Sequence, residues 1–467
     1  MTTVWTIAEA GRRLRSGQLT SVALTEEVLA LADRFDGELG TFLSRFPDTA
    51  LTAARAADAE LAAGMDRGPL HGIPLGIKDI ITTDEGPTTA QSLVHDPEWN
   101  RQDAVVVRRL RESGGVIVGK TTTMEFAAAA PDSSKPFPVP RNPWNLQTWP
   151  GGSSSGTGSG VAAGLFLGGL GTDTGGSIRI PAAFCGITGL MPTFGLVPKS
   201  GCVPLGYSLD HIGPMARSAE DCALMLQSVA GFDASCAGSV DVTVPDYAAG
   251  LTTDLSGVRI GVDRLERAMT PDADPATAAV LEAVAEVLSS LGAEIVEVEL
   301  PFYGEAMAAL LAICGAEMFA YHAPDARARL GDYFAGNQRS LASAAFCSGP
   351  DYVQAQRFRR VAHKAADALF DDVDLVLTPT TATGAIAHDV LGPFLGDWFH
   401  LIHTAYWDLT GNPVISMPAG FTGGGLPLGV QLAGRPFEET AVLAAAHAYQ
   451  SKTDWHLAAA PTLTAAA

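Results

Sequence analysis

Apolar and polar residues are distributed along this chain in a pattern that predicts an α/β fold preceded by helices. Between residues 7 and 64 the apolar positions recur at helical spacing, as in the stretch from Val22 to Leu29. Thr20 and Ser21 lie just before that stretch and are typical of a helix N-terminus. We therefore expect residues 1–65 to form an N-terminal helical arm.

Beyond residue 65, short apolar runs alternate with helical stretches, and residues 215–372 are expected to be mostly helical. Buried strands are predicted at 116–118, 257–262, 293–298, 374–378 and 414–417, and helices at 104–112, 275–291 and 352–370. Strands separated by helices favour an α/β sheet with crossover connections. Residues 384–400 are rich in glycine and aromatic residues, which is typical either of a mobile flap beside a site or of an ordinary connecting loop.

The composition narrows the classes of partner. The chain has 467 residues, a length that alone would suggest two or three domains, and 47% hydrophobic residues support a large core. Its formal net charge of −21 argues against nucleic acid and anionic membranes as partners. The N-terminus lacks the apolar run of a signal peptide, and the run at 161–170 is half the length of a membrane span. We expect a soluble cytoplasmic protein.

The six cysteines are scattered without a C-x-x-C pair, which predicts free thiols rather than disulfides or a zinc site. No set of residues with the spacing of metal ligands is apparent, so neither a metal nor a cofactor is expected.

Candidate chemistry is concentrated in residues 150–181, PGGSSSGTGSGVAAGLFLGGLGTDTGGSIRIP. Ser153 and Ser177 are each preceded by a pair of glycines, which allow unusual backbone conformations and let N–H groups approach a reacting carbonyl. Far upstream, Lys78 lies among apolar residues in GIPLGIKDI, a setting in which a lysine can lose its proton and act as a base. Two serines and a lysine suggest nucleophilic acyl transfer.

At these residues the chain resembles the amidase signature hydrolases. The resemblance is carried by GPLHGIPLGIKDI (68–80), GGVIVGKTTTMEFA (114–127), RNPWN (141–145), the 150–181 segment, AFCGITGLMPTFG (183–195), SLDHIGP (208–214), DLVLTPT (374–380), GNPVISMPAG (411–420) and GLPLGVQLAGRPFEE (425–439). It implies one large α/β domain over residues 1–467, with a mixed, mostly parallel twisted sheet covered by helices on both faces. Residues 458–467 are expected to be a disordered tail. Homodimers are common in the family.

The resemblance also assigns roles to individual residues. Ser177 is expected to be the nucleophile, Ser153 the bridging serine after a cis peptide bond, and neutral Lys78 the base. The oxyanion hole falls on the N–H groups of Thr174, Gly175 and Gly176.

Four neighbours of these residues are expected to play supporting parts. Asp173 and Arg179 would pair to hold the nucleophile loop, and Ser154 would support Ser153 by hydrogen bonding. Asp79, next to the lysine, must point away from it, because a facing carboxylate would favour the charged ammonium.

Two other motifs are weaker. Residues 114–121 match the phosphate-loop pattern G-x-x-x-x-G-K-[ST], but their β-branched apolar centre is typical of a strand. Residues 152–156 match the G-x-S-x-G elbow, which would make Ser154 the nucleophile and need a base such as His403 or His447. That interpretation leaves Lys78 and the second glycine–serine motif unexplained.

The substrate is less defined. Candidate pocket residues are Met124, Phe126, Ile178, Phe394, Trp398 and Tyr406. An aromatic lining predicts an apolar or aryl amide, although aromatic residues at such spacing also fill cores. A carbamate hydrolase with the same three residues is one alternative. Another is the amidase subunit of a glutamyl-tRNA amidotransferase, which needs a partner; the aspartate that reads glutamine there is matched here by Leu401, before Thr404.

Overall fold

One sheet of 11 strands organises the residues that the computed structural model describes, 5–392 and 398–461. The strands are β1 Phe42–Arg45, β2 Pro74–Lys78, β3 Val116–Thr121, β4 Gly168–Asp173, β5 Thr188–Met191, β6 His211–Ala216, β7 Arg259–Val262, β8 Glu294–Glu297, β9 Leu375–Pro379, β10 Val414–Phe421 and β11 Pro427–Gly434. The α-helices are α1 Ile7–Arg15, α2 Ser21–Leu39, α3 Pro47–Ala62, α4 Val105–Glu112, α5 Ser155–Ala162, α6 Arg179–Cys185, α7 Ala219–Val229, α8 Ala276–Ser290, α9 Tyr303–Arg329, α10 Ala335–Ala344, α11 Gly349–Leu369, α12 Ala405–Thr410 and α13 Glu439–Gln450.

The strand order is β1-β3-β2-β4-β6-β5-β10-β11-β9-β7-β8, and the sheet is mixed as expected. The predicted excess of parallel pairs is wrong. In the described sheet, β2 pairs in parallel with β3 and β4, β7 pairs in parallel with β8 and β9, and the other six pairs are antiparallel. Part of the reason is local, because β10 and β11 are joined by the short turn 422–426, and a turn of that length forces antiparallel pairing.

Helices cover both faces of the sheet, which confirms the predicted layering. In β9, Leu375 and Leu377 pack into one buried apolar cluster with α8, whereas Val376 points into a second cluster with α9, α11 and α12. A strand whose successive side chains are both buried needs a cover on each face.

The predicted strands are confirmed as β3, β7, β8, β9 and β10, and the predicted helices as α4, α8 and α11. The N-terminal segment holds α1 to α3, and α2 begins at Ser21, where the Thr20 hydroxyl accepts from the Ala23 N–H (3.1 Å). It also contains β1, which the sequence analysis missed because four residues show too little alternation. β1 pairs with β3 and so joins this segment to the sheet. Residues 462–467 of the predicted tail lie outside the described residues.

Among the described helices, the stretch Tyr303–Asp332 is long and apolar enough to cross a membrane by length and composition, and 33% of its most apolar window is buried. In the sequence its apolar residues are interspersed with polar ones, so no continuous apolar run marks it. In the fold, α9 packs against α10, α11 and α12.

Phe166 brings together two elements that later matter for the site. A Cβ added to Gly76 of β2 would lie 2.8 Å from the Phe166 ring, and a Cβ added to Gly160 of α5 would lie 2.3 Å from the same ring. Its side chain is fully buried and packs edge-to-face on Phe42, with ring centroids 5.6 Å apart. Helix α5 therefore sits close to β2, with Phe166 filling the space that the glycines leave.

We expect Phe166→Ala to lower the free energy of unfolding by about 3–5 kcal/mol, because it removes a buried aromatic ring and leaves a cavity. Urea denaturation followed by circular dichroism measures this. Phe232→Ala, at a position 46% exposed, is the matched control and should change stability by less than about 1 kcal/mol. Equal effects of the two substitutions would contradict the packing role.

Candidate active site

The end of β2 brings Lys78 to Ser153. Its ammonium nitrogen Nζ lies 2.7 Å from Ser153 Oγ and 2.6 Å from Thr172 Oγ1, and Lys78 and Ser153 are fully buried. Ser153 immediately follows the cis peptide bond Gly152–Ser153, as the resemblance implied. Thr172 was missed by the sequence analysis. It comes beside the lysine because β2 and β4 are paired in parallel, an arrangement that no local sequence pattern indicates.

The environment of Lys78 favours its neutral form. Burial lowers the pKa of Lys78 to about 7, with small opposing contributions from Cys202, Asp173 and Asp210. Its two nearby partners, Ser153 and Thr172, are uncharged hydroxyls, which do little to hold a proton on the nitrogen.

Asp79 points away from Lys78, which confirms the expectation. Its Oδ1 lies 2.9 Å from Lys120 Nζ, and its Oδ2 accepts from the Thr89 N–H (2.9 Å) and hydroxyl (2.5 Å). Lys120 is the lysine of the phosphate-loop pattern. It lies fully buried in β3 and also donates to Thr88 Oγ1 (2.7 Å). The pattern is therefore a buried strand whose lysine neutralises Asp79.

Ser154 links the two glycine–serine loops. Its N–H donates to the Ser177 carbonyl (3.2 Å), and its hydroxyl lies 3.2 Å from both the carbonyl and the N–H of Thr172. The expected bond to Ser153 is therefore replaced by bonds to the Thr172 backbone. The elbow interpretation also fails, because this hydroxyl is fully buried and His403 Nδ1 faces the Tyr303 hydroxyl instead (2.8 Å).

The turn that carries Ser177 is held by Asp173 and Arg179, as predicted. Asp173 accepts from the Gly176 and Ile178 N–H groups (2.5 and 3.1 Å) and from Arg179 Nε (3.0 Å). Arg179 also donates to Asp408 Oδ2 (2.5 Å). Its remaining partners are the Thr404 carbonyl (2.9 Å) and Gln431 Oε1 (3.0 Å).

The network around Arg179 is buried, and the pKa values of its two carboxyl groups, Asp173 and Asp408, are shifted in opposite directions. Burial acts to raise the pKa of Asp173, but the charge and hydrogen bonds of Arg179 outweigh it and hold that pKa well below its usual range. Burial and the neighbouring Asp173 raise the pKa of Asp408 far above its usual range. The sequence analysis missed Asp408, which comes into contact only through the packing of α12.

Gly176 must be glycine. Its φ is +127°, and an added Cβ would lie 2.1 Å from Thr404 Oγ1, which donates to the Gly175 carbonyl (2.6 Å). Its N–H already donates to Asp173. The Gly176 N–H was expected to belong to the oxyanion hole, but its hydrogen bond is made to Asp173 instead. Of the three expected oxyanion donors, the N–H groups of Thr174 and Gly175 remain.

Ser177 is half-buried and opens into a cavity of about 590 Å³. The cavity is lined mostly by apolar groups: Met124, Ala127, Ala128, Gly152, Thr174, Gly175, Ile180, Leu205, Leu310, Leu311, Ala312, Cys314, Gly315, Met318, Ser340, Ser343, Ala344, Phe346, Cys347, Asp351, Trp398 and Phe399. Met124 and Trp398 therefore line it as expected. Phe394 lies outside the described residues.

Phe126, Ile178 and Tyr406 are not among the lining residues and fill the core instead. Phe126 packs on His322 with ring centroids 4.3 Å apart, and Tyr406 packs on Trp407 at 5.0 Å. Ile178 lies beneath the sheet, where a Cβ on Gly213 or Gly171 would come within about 3 Å of it. Much of the lining that was not predicted belongs to α9 and α10, whose role no sequence motif indicates.

The segment 384–400, expected to be either a flap or an ordinary connecting loop, contacts residues 147–149 near both of its ends. The Trp149 N–H donates to the Ile386 carbonyl (2.8 Å), and the His388 N–H donates to the Gln147 carbonyl (2.9 Å). At its other end, the Trp398 ring packs on Trp149 with centroids 4.9 Å apart. Residues 393–397 lie outside the described residues.

Within the described residues, the acidic groups that come close enough together to ligate a metal are Asp84, Glu85 and Asp103. Arg111 donates to all three carboxylates. The cluster is thus explained as a set of ion pairs with a guanidinium, and it lies outside the cavity lining.

The fold and these residues define an amide hydrolase. Residues 23–443 match the family model described as Amidase, and the chain belongs to this family of amidase signature enzymes, which hydrolyse amide carbon–nitrogen bonds. It is 40% identical to the A subunit of glutamyl-tRNA(Gln) amidotransferase from Pseudomonas syringae pv. syringae (strain B728a), over 97% of this chain and 98% of that protein.

The fold is also similar to solved structures, one of them of an amidase. A chain from a vestigial protein complex, studied for the evolutionary origins of an s-triazine catabolic enzyme, superposes with a TM-score of 0.89 at 32% identity, covering 96% of this chain and 98% of that one. The native peptide amidase from Stenotrophomonas maltophilia gives a TM-score of 0.82 at 32% identity, covering 96% of each chain.

The buried lysine makes stability depend on pH in a defined direction. A free lysine has a pKa of about 10.4, so between pH 7.5 and 9.5 the unfolded chain binds the proton that the folded protein lacks. The free energy of unfolding of the wild type should therefore rise relative to Lys78→Met by about 1.4 kcal/mol per pH unit. Urea titrations of both proteins at several pH values measure the difference, and parallel curves would show that Lys78 is charged when folded.

Proposed function

We propose that this protein is a stand-alone amidase that cleaves small amides carrying an apolar or aryl group. The observation that carries the proposal is the apolar cavity into which Ser177 opens. The Ser154 N–H donates to the Ser177 carbonyl (3.2 Å), which joins the Ser177 loop to the segment that carries the buried Lys78–Ser153 pair. A pocket of this size and lining suits a small organic substrate.

In the proposed reaction, Ser177 Oγ attacks the amide carbonyl and gives its proton to Ser153, while Ser153 gives its own proton to neutral Lys78. The oxygen of the tetrahedral intermediate would accept from the N–H groups of Thr174 and Gly175. On collapse the carbon–nitrogen bond breaks, and Ser153 protonates the departing nitrogen while Lys78 returns its proton to Ser153. Water then hydrolyses the acyl-Ser177 ester by the reverse proton path.

Thr172 has a positioning role in this scheme. Lys78 Nζ lies 2.6 Å from its hydroxyl and 2.7 Å from Ser153 Oγ, so one N–H bond to Thr172 fixes the nitrogen while its lone pair faces Ser153. Ser154 and the Asp173–Arg179 pair would hold the two loops at the distance that this proton path requires.

The second candidate is the amidase subunit of an amidotransferase, favoured by the 40% identity to a protein of that kind. Against it stands the position assigned to the glutamine-reading aspartate, which is Leu401 here, buried at 8% exposure and outside the cavity lining. Carbamates present the same carbonyl to Ser177 and are a third possibility within the same chemistry.

We expect purified protein alone to release 4-nitroaniline from an apolar acyl nitroanilide, and Ser177→Ala to reduce the rate by at least about 10³-fold, because the nucleophile is lost. The corresponding carbamate, assayed in parallel, gives the amide-to-carbamate ratio. Ser451→Ala, an exposed serine, is the control and should keep full activity.

A different result would favour the amidotransferase subunit. Ammonia release from glutamine, absent with apolar anilides and dependent on a partner protein, would replace the proposal with the amidotransferase function.

The rate should also depend on pH through Lys78. Because the base must be neutral and burial lowers its pKa to about 7, kcat/KM should rise with pH and be half-maximal near pH 7. At pH 6 it should be about tenfold below its plateau. A stopped assay from pH 5.5 to 9 in buffers of constant ionic strength measures this, and a flat profile would rule out neutral Lys78 as the base.

A further inference from the structure

One face of α9 runs along the cavity, starting beside the loop that carries Ser177. Leu310, Cys314 and Met318 recur at four-residue spacing and line the cavity together with Leu311 and Gly315. At 1.5 Å per residue, this face covers about 12 Å of the helix. Its first member is next to the reacting centre, because a Cβ on Gly175 would lie 3.7 Å from Leu310.

Gly315 is the unusual residue on this face. Glycine in the interior of a helix is less favourable than alanine, and Gly315 lies in the middle of α9. Its φ is not positive, so the backbone does not require glycine. Among the described residues, an added Cβ would come within 4 Å of Ala344 Cβ alone, at 3.7 Å, which is an ordinary contact. Neither conformation nor packing explains the absence of a side chain.

The glycines of α5 show the contrast. A Cβ on Gly156 would lie 2.3 Å from the Thr41 carbonyl oxygen, and one on Gly160 would lie 2.3 Å from the Phe166 ring. Those positions need glycine because neighbouring groups come too close. At Gly315 the space is open, and it is cavity space.

Beside Gly315 in the cavity wall, α10 presents another small residue, Ala344, with the serines Ser340 and Ser343 on the same helix. α9 and α10 pack against each other, so the size of the side chains at positions 315 and 344 affects how much cavity space is left between the two helices. A leucine at position 315 would occupy the room that the glycine leaves.

We propose that Gly315, with Ala344 beside it, determines how large an apolar group of the substrate the enzyme accepts, and that the preferred substrates carry a linear alkyl or arylalkyl group longer than acetyl. The inference rests on the proposed function and names the substrate class of that site. Each methylene that enters the cavity should raise kcat/KM by about fourfold until the space is filled.

The test compares two series of substrates. One varies the acyl chain of 4-nitroanilides from acetyl to octanoyl, and the other varies the alkylamine of a fixed acyl amide, so that the side of the scissile bond that enters the cavity is identified. We expect Gly315→Leu to lower the long-to-short ratio of kcat/KM at least tenfold in one of the two series. Ala320→Leu adds the same side chain to an exposed position of α9 and should leave the ratio unchanged.

A second measurement does not depend on hydrolysis. In the Ser177→Ala background, titration calorimetry with the octanoyl and acetyl anilides should show that Gly315→Leu weakens the longer ligand selectively. Gly315→Ala serves as a milder variant that favours the helix, and its melting temperature should be equal to or above that of the wild type. If neither anilide is hydrolysed by the wild type but the binding selectivity is present, the proposed function fails and the inference about size stands. Equal losses for long and short ligands in both experiments would overturn the inference.

Discussion

The burial of the Lys78 ammonium group, with no carboxylate paired to it among the described residues, is the constraint on which the site depends. Desolvation outweighs the opposing contributions of Cys202, Asp173 and Asp210 and brings its pKa to about 7, and a carboxylate facing the nitrogen would raise that pKa again. Two acidic groups of the framework, Asp79 next to Lys78 in the chain and Asp173, are each paired with another cation. Asp79 is paired with Lys120, and Asp173 is paired with Arg179, which also holds Asp408. These ion pairs neutralise Asp79 and Asp173, and Lys78 is left beside the uncharged hydroxyls of Ser153 and Thr172.

Close backbone approach provides the second condition. Ser153 reaches Lys78 because α5 lies against β2, which is possible only where Gly76 and Gly160 leave room for Phe166. The loop of Ser177 likewise passes Thr404 where Gly176 has no side chain. Both glycine-rich segments therefore allow backbone and side chains to come closer than other residues would permit. They place hydroxyl, ammonium and N–H groups at distances that bulkier residues would prevent.

The framework and the cavity have different origins in the chain. The groups of the proposed reaction come from β2, β4 and the loops around α5 and α6, whereas α9 and α10 supply other walls of the cavity. Relatives that share the fold at about 32% identity include a peptide amidase and a chain from an s-triazine-related complex. A cavity whose walls come from other elements than the candidate centre fits the general observation that functional sites are grafted onto a fold.

The sequence by itself determined the family, the strands β3 and β7 to β10, and the residues of the candidate centre, because glycine–serine loops and a lysine in an apolar frame are local patterns. It also predicted that Asp79 must turn from Lys78, since the charge argument needs no coordinates. Tertiary structure alone decided that Thr172 and Asp408 join the site, that Gly176 donates to Asp173, and that α9 rather than Phe126 or Tyr406 lines the cavity. Those facts depend on strand register and helix packing, which bring together residues distant in the chain and leave no periodic signal within it.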